Sequence, residues 1–361
     1  MARGAIALVC LAFTIAVPLR ASGIDDVRLS RGFFNPSLGE RVSLQFTLAS
    51  PARVDVLVVD RDGFAVRELA KNKAEPSGTV TLQWDGRNAS GELVPDESWS
   101  LKIDAHSSAG TSTYFPADAA PEPMISIRPD AYSPAASTLR YTLPVASRVH
   151  IQAGTASSTA GNSSTEGAVM KTIVDRAPRV AGSVVEQWNG LDESGTIRVP
   201  DQRNFVMAIA ATPLPENSII TVGNRTKTFL QFAEQRHGRS LCTPRQLSHA
   251  HHAGLSALED HSPPLRLRVG AIRHSRLPLT VSVDGPTASR FLRQHPTLFV
   301  FVDGERLLKT PADHEPVTVS VPWRYKPEGD HVIVVNWQSE FGPVAASATR
   351  IRYVANSGGS K

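Results

Sequence analysis

A chain of 361 residues exceeds the usual size of a single domain, and its 41% hydrophobic content is sufficient for two or three packed cores. The formal net charge of +4 is small for this length and argues against nucleic acid as a partner. The 25 Gly and 26 Pro residues favour short strands joined by turns, so we expect an all-β protein.

The first 23 residues predict a signal peptide. Arg3 gives a basic start, residues 5–17 are apolar and uncharged, and residues 21–23 are small, so we expect cleavage after Gly23. Cys10 lies inside the apolar run, where it makes a poor lipid-attachment site, although a lipoprotein is an alternative. The run is too short to span a bilayer stably, and no later segment approaches 18 apolar residues. We therefore expect an exported protein, periplasmic or at the cell surface, without a transmembrane helix.

The next segment predicts a β-sandwich. Apolar and polar residues alternate in four stretches, residues 42–48, 54–58, 80–84 and 99–103, which is typical of strands with one buried face. A loop follows the third stretch and begins Trp84-Asp85-Gly86. We expect the Trp84 side chain to fill the core, and the Asp and Gly residues to form turns.

A second copy of this unit follows. Residues 139–143 and 149–151 repeat the first two strands with an offset of 95, whereas the later strand and the loop at Trp188 are offset by 104. The nine extra residues fall in a Ser- and Thr-rich stretch, residues 154–167, which we interpret as a mobile insert. Glu186 replaces Leu82 at an inward position, which indicates either an edge strand or a shift of register.

Both copies resemble the FlgD-type immunoglobulin-like domain. The first copy contains Trp84-Asp85-Gly86, Gly91, Val94-Pro95 and Trp99; the second contains Ser133-Pro134, Trp188-Asn189-Gly190, Gly195, Val199-Pro200 and Phe205. The resemblance covers about residues 30–105 and 128–212 and implies an immunoglobulin-like β-sandwich without catalysis. Such modules occur in the flagellar hook-capping scaffold and in exported bacterial proteins. The predicted signal peptide argues against the hook-capping role.

A His-rich linker follows the second copy. Its imidazoles at His249, His251 and His252 suit Zn or Cu, although a solvated linker without metal is the alternative. Asp60 and Asp62, and the acids of residues 85–92, provide a second hypothesis, a calcium site, which competes with simple turn chemistry. Cys242 is the only cysteine outside the predicted signal, so we expect no intramolecular disulfide.

The last segment predicts a third β-unit that lacks the Trp-Asp-Gly loop. Residues 265–269, 277–283 and 317–321 alternate, residues 331–335 form a nearly continuous apolar run, and residues 288–294 suit one short helix. Three aromatic residues allow either core packing or stacking on a sugar: Trp323, Tyr325 and Trp337. A carbohydrate or cell-wall ligand is therefore an alternative for this unit.

The sequence predicts tandem immunoglobulin-like β-sandwiches, two FlgD-like and one C-terminal sandwich-like unit. The expected boundaries are a signal peptide at 1–23, a first sandwich at 24–118, a second at 119–235, a His-rich linker at 236–263 and a third unit at 264–356. No nucleophile elbow, P-loop or dinucleotide motif occurs, so we expect no enzyme and no cofactor. The expected function is that of a scaffold or adhesion protein with protein partners at the cell envelope. A glycan partner for the third unit and metal binding by the linker are the alternatives.

Overall fold

The computed structural model describes residues 23–119, 122–156, 167–243, 262–285, 287–323, 326–339 and 344–354. Within these ranges the regular structure is mainly β, in six sheets whose strands pair antiparallel in all but one case. This confirms the predicted all-β fold of tandem sandwiches. Among the described residues, no helix has the length and apolarity that crossing a membrane requires.

The first unit is a sandwich of two sheets. Its strands are β1 (Ile24–Leu29), β2 (Phe33–Phe34), β3 (Val42–Leu48), β4 (Ala52–Val59), β5 (Ala65–Glu75), β6 (Gly78–Trp84), β7 (Glu97–Ser107) and β8 (Gly110–Tyr114). One sheet has the order β1-β3-β6. The other contains β7, β4 and β5, with β8 paired to β7. All four alternating stretches predicted here lie in strands.

The second unit repeats this plan. Its strands are β9 (Ile125–Ile127), β10 (Ala131–Ser133), β11 (Thr138–Leu143), β12 (Ser147–Thr155), β13 (Ala168–Arg179), β14 (Gly182–Gln187) and β15 (Phe205–Pro213), followed by β16 (Ile219–Thr221) and the helix α1 (Phe229–Ala233). The sheets have the orders β10-β11-β14 and β13-β12-β15-β9. Of the predicted insert, residues 157–166 lie outside the described ranges.

The third unit is also a two-sheet sandwich. It contains β17 (Leu265–Val269), β18 (Arg276–Val283), the helix α2 (Ala288–Leu292), β19 (Thr297–Val302), β20 (Glu305–Pro311), β21 (Val317–Pro322), β22 (Gly329–Gln338) and β23 (Val344–Tyr353). The sheet orders are β17-β18-β21 and β20-β19-β22-β23. The predicted strands and the short helix of this unit are confirmed.

The Trp loops fill the cores, as predicted. The side chains of Trp84 and Trp188 are 2% and 4% exposed, and each indole N–H donates to a carbonyl three residues further on, at Arg87 and Leu191. The same hydrogen bond, 2.9 Å long in both copies, closes the turn that follows the strand. Each Trp side chain therefore fills the core of its unit, and its indole N–H is hydrogen-bonded within its own loop.

Glu186 lies on an edge strand without a shift of register. β11 pairs Leu139 with Glu186, just as β3 pairs Leu44 with Leu82 in the first unit. The Glu186 carboxylate accepts from the Arg179 guanidinium at 2.7 and 3.1 Å and from the Tyr141 hydroxyl at 2.9 Å. Burial and this neighbouring carboxylate raise the pKa of Tyr141. An ion pair at the sheet edge thus replaces an apolar contact of the first copy.

The second and third units share a buried apolar cluster. Trp188 and Met170 from the second unit pack with Phe301, Val334 and Ala348 from the third. The outer face of β22 is therefore covered as well as its inner face, which explains the nearly continuous apolar run in its sequence. At the same contact, the buried side chain of Asn336 accepts from the Val169 N–H at 2.8 Å and donates to its carbonyl at 2.6 Å.

Candidate functional site between the first two units

After the second sandwich, the chain returns to the first unit. Residues 214–243, which we name the return segment, contribute β16 between β2 and β7. β16 pairs parallel with β2 and antiparallel with β7. Residues 219–221 fall within the predicted bounds of the second unit, but their backbone hydrogen bonds are made with the first. The four aliphatic and β-branched residues at 219–222 suit a strand, yet nothing local indicates which sheet it joins.

Polar side chains secure the return segment. Asn224 donates to the backbone carbonyls of Leu93 and Val94 at 3.1 and 3.0 Å, and its own N–H donates to the Asp96 carboxylate at 2.7 Å. The Trp99 indole donates to the Thr221 hydroxyl at 2.8 Å. Because these groups are buried or half-buried and paired, displacing the segment would leave several of them unsatisfied.

The helix α1 covers the remaining face of Trp99. Phe229 and Phe232 pack against this indole, with ring centroids 6.0 and 5.5 Å away in edge-on geometry. A Thr228 capping box begins the helix: its hydroxyl accepts from the Gln231 N–H, and the Gln231 side chain accepts from the Thr228 N–H. The return segment is therefore part of the first unit's core.

Farther along the segment, Arg236 closes a buried cluster of charges. One nitrogen of its guanidinium lies 2.8 Å from both the Asp60 and the Asp62 carboxylates. The Asp60 carboxylate also accepts from the N–H groups of Asp62 and Phe64. Burial raises the pKa of Asp60 to about 6, against the opposing effect of Arg236. The guanidinium lies within 2.8 Å of both carboxylates, so a calcium ion does not fit this pair.

A second buried ion pair joins the two units directly. Arg148, at the start of β12, lies 2.7 Å from the Glu97 carboxylate of β7 and donates to the Ser98 hydroxyl at 2.7 Å. Both charged side chains are nearly inaccessible, with 6% and 4% exposed. The Arg61 guanidinium lies 3.9 Å from Glu97 and stacks over the Phe229 ring at 4.7 Å. The positive charge of Arg148 in the second unit is thus neutralised by the Glu97 carboxylate of the first unit.

A cavity of about 520 Å³ lies beside this ion pair, between the two units. We name it the junction cavity. Its walls combine apolar side chains with a few polar ones, which is typical of small-molecule and peptide sites. Residues of the first unit, the connection, the second unit and the return segment all line it, among them Asp60, Ser100, Tyr114, Arg148 and Pro215.

Ser100 is the unusual member of the lining. Its side chain is 5% exposed, and its hydroxyl oxygen is completely buried without a hydrogen-bond partner among the described residues. A buried hydroxyl of this kind costs about 1–3 kcal/mol when it remains unpaired. Nearby Tyr114 is satisfied, because its hydroxyl accepts from the Asn217 side chain at 2.8 Å. The Ser100 hydroxyl is therefore a buried polar group without a hydrogen-bond partner among the described residues.

The site residues predicted from sequence do not lie here. His249, His251 and His252 lie outside the described residues, and their metal site stays a prediction that titration with Zn and Cu tests. In the described part of the chain, no group of three His, Cys, Asp or Glu residues is placed to hold a metal. Cys242 packs beside the Asp60 turn, and burial raises the pKa of its thiol to about 11.

The aromatic residues considered for sugar stacking belong to the core of the third unit. Trp323 and Trp337 are 3% and 0% exposed. The Trp337 indole donates to the Ala312 carbonyl at 2.8 Å, and its ring packs edge-on against Phe291. Neither indole can stack on a sugar, because both faces are covered. Tyr325 lies outside the described residues.

The contact between the first two units could not be predicted from the sequence, because equivalent arginines in the two copies differ in burial. Arg148 aligns with Arg53 of the first copy, and both donate to a backbone carbonyl of the neighbouring strand, at Arg176 and Asn72. Arg53 is exposed, whereas Arg148 is buried by contact with the other unit. One usable signal was present: Asp60, Arg61 and Asp62 concentrate charge in one turn.

Comparison with known proteins supports the first unit's family. Residues 35–109 match the family model described as the FlgD Ig-like domain. The resemblance seen in the first Trp loop is therefore confirmed, while the assignments of the second copy and the third unit stay predictions. No curated protein matches the chain.

Several solved structures are similar to this chain at low sequence identity. The central fibronectin-III array of RIM-binding protein is 10% identical, with a TM-score of 0.20, covering 92% of this chain and 97% of that one. A tetra-tandem repeat from the extending region of a large adhesion protein is 13% identical, with a TM-score of 0.20, covering 93% of this chain and 75% of that one. The chicken CNTN1 FN1–FN3 domains are 8% identical, with a TM-score of 0.19, covering 92% of this chain and 100% of that one.

Proposed function

We propose that this protein is an exported, non-catalytic scaffold or adhesion protein that binds protein partners at the cell envelope. The observation that carries the proposal is the way in which the units are joined. Arg148 and Glu97 form a buried ion pair across the first joint, and the cluster around Trp188 buries apolar side chains across the second. Units joined by buried contacts keep one relative arrangement, whereas unjoined domains move independently.

A fixed relative arrangement of the units favours the binding of a partner that contacts more than one unit. Loops at the ends of rigid sandwiches present residues at constant spacing, so a partner that contacts two units loses less entropy on binding. The FlgD Ig-like match supports this interpretation, since that domain resembles non-catalytic modules of exported proteins. The signal-peptide pattern at residues 1–23 supports the proposed location.

The experiment combines localisation with partner capture. Cells producing the full chain are fractionated, the N-terminal residue of the mature protein is determined, and intact cells are treated with a membrane-impermeant crosslinker. We expect a mature protein that begins after Gly23, in the periplasm or at the surface, crosslinked to one reproducible set of envelope proteins. An unprocessed chain in the cytoplasm would refute the proposal.

A variant tests whether the rigid joint matters. Replacing Arg148 by Met removes the ion pair across the first joint, whereas Arg140→Met changes an exposed arginine on β11, in the other sheet of the second unit. We expect the first variant to lose crosslinks that require two units, and the second to retain them. Equal capture by both variants would show that the partner contacts one unit only.

A further inference from the structure

The second Trp loop contains a reactive dipeptide that the rest of the chain lacks. Asn189 is followed by Gly190, and no other asparagine in the sequence precedes a glycine. Because glycine has no side chain to shield its backbone nitrogen, that nitrogen can approach the side-chain carbonyl carbon of the preceding asparagine closely. The first copy has Asp85-Gly86 at the equivalent place. The two loops therefore differ here by an amide in place of a carboxylate.

The folded loop leaves both reacting groups available. Asn189 is exposed, and Gly190 has a φ of 82°, in the left-handed region. The side-chain oxygen of Asn189 accepts from the Leu191 N–H at 3.0 Å, which turns the side-chain carbonyl back along the main chain and makes its carbon more electrophilic. The Gly190 N–H has no acceptor among the described residues, so no hydrogen bond holds this nitrogen back.

We propose that Asn189 deamidates spontaneously in the folded protein, and that one product loosens the joint between the second and third units. The Gly190 nitrogen bonds to the side-chain carbonyl carbon of Asn189, and the side-chain nitrogen leaves as ammonia with the proton of the Gly190 N–H. Water then opens the resulting cyclic imide. Opening at the side-chain carbonyl gives aspartate, and opening at the main-chain carbonyl gives isoaspartate, so water is the only co-reactant.

The aspartate product should leave the loop unchanged. In the first copy, the Asp85 carboxylate accepts from the Arg87 N–H at 3.1 Å, which is the bond that the Asn189 side chain makes with Leu191 in the second copy. Both loops then close with the same indole hydrogen bond, 2.9 Å long. An aspartate at this position therefore preserves the turn and adds one negative charge.

The isoaspartate product changes the backbone itself. Its main chain runs through the former side chain and is longer by one carbon, between Trp188 and Gly190. The Gly190 carbonyl accepts from the Val199 N–H at 2.8 Å, and the Leu191 carbonyl accepts from the Trp188 indole at 2.9 Å. Both bonds depend on the spacing of this backbone. Because Trp188 packs in the cluster shared with the third unit, the second joint weakens as the molecule ages.

Peptide mass spectrometry of the folded protein, incubated at neutral and at mildly alkaline pH, tests the reaction. We expect the Asn189 peptide to gain the mass difference between an NH2 and an OH group before any other asparagine peptide does. The gain should be faster at the higher pH, because the attacking Gly190 nitrogen must lose its proton. An isoaspartate methyltransferase should label the same peptide. A urea-unfolded sample is the control, and conversion of Asn189 in that sample alone would overturn the proposal.

Two variants test the effect on the joint. Asn189→Asp reproduces the first copy, and Asn189→Ser removes the amide while keeping an oxygen that accepts from the Leu191 N–H. We expect both fresh variants to unfold at the same temperature as the fresh unsubstituted protein. After incubation, limited proteolysis should release the third unit faster from the unsubstituted protein than from Asn189→Ser. Equal release from the two aged proteins would refute the effect on the joint.

Discussion

Replacing Arg148 by Met should destabilise the joint between the first two units by about 3 kcal/mol. Removing one partner of a buried ion pair costs about 3–5 kcal/mol, because the other charge stays buried without compensation. The lower value applies because Arg61 lies 3.9 Å from the Glu97 carboxylate and compensates part of its charge. Methionine retains the volume of the side chain, so the effect reports the lost charge rather than a cavity.

The double variant Arg148→Met/Glu97→Gln should recover most of this loss. A neutral amide of the same shape in place of Glu97 removes the carboxylate that the single variant leaves without Arg148, and replacing a whole buried pair is often close to neutral in free energy. Recovery in the double variant therefore separates electrostatics from packing.

Urea unfolding followed by circular dichroism measures the effect, with Arg140→Met as the matched control. We expect a control change below about 0.5 kcal/mol, because Arg140 is exposed. Small-angle scattering of each variant would show whether the units separate before they unfold. The reasoning fails if Arg148→Met unfolds at the same urea concentration as the control, or if the double variant is no more stable than the single one.

Three further measurements examine other parts of the structure. Trp188→Ala should cost about 3–5 kcal/mol and loosen the second and third units together, visible as a lower midpoint in thermal unfolding, since this indole packs in the cluster that they share. Asn336→Ala should cost about 2 kcal/mol because it leaves the buried backbone groups of Val169 unpaired, and limited proteolysis should then release the third unit faster. Lowering the pH from 7 to 4 should stabilise the first unit by up to about 3 kcal/mol through Asp60. The pKa of this carboxyl is about 6 in the folded protein, compared with an ordinary value of 3.8. The folded form therefore takes up the proton at a higher pH than the unfolded form, and protonation favours folding. Asp60→Asn should lack this contribution, and parallel urea midpoints for both proteins across this pH range would contradict it.

Much of the local structure could be predicted from the sequence. Alternation at residues 42–48 and 277–283 depends only on which side chains face the core, and both stretches form strands with that pattern of burial. The inward position of Trp84 follows from its place at the end of such a strand. Even the edge position of Glu186 was among the predicted alternatives, because an acid facing a core requires a partner or an edge.

The candidate site could not be predicted in the same way. Its residues come from a turn and a strand of the first unit, from β12 of the second unit, and from a segment that follows the second sandwich in the chain. Ser100 lies in an alternating strand like many other serines, and only the packing of the second unit encloses its hydroxyl. Long-range contacts of this kind leave no periodic pattern in the sequence.

The sequence by itself determined the strands, the repeated Trp loops and the presence of separate units, because these depend on local geometry and on which faces are apolar. The tertiary structure decided which charged side chains are buried and which partners they have. Arg53 and Arg148 occupy equivalent positions in the two copies, yet one is exposed and the other is buried against Glu97. The difference arises from what lies beside each copy, since burial and the neighbouring charge belong to the assembled units and not to the repeat.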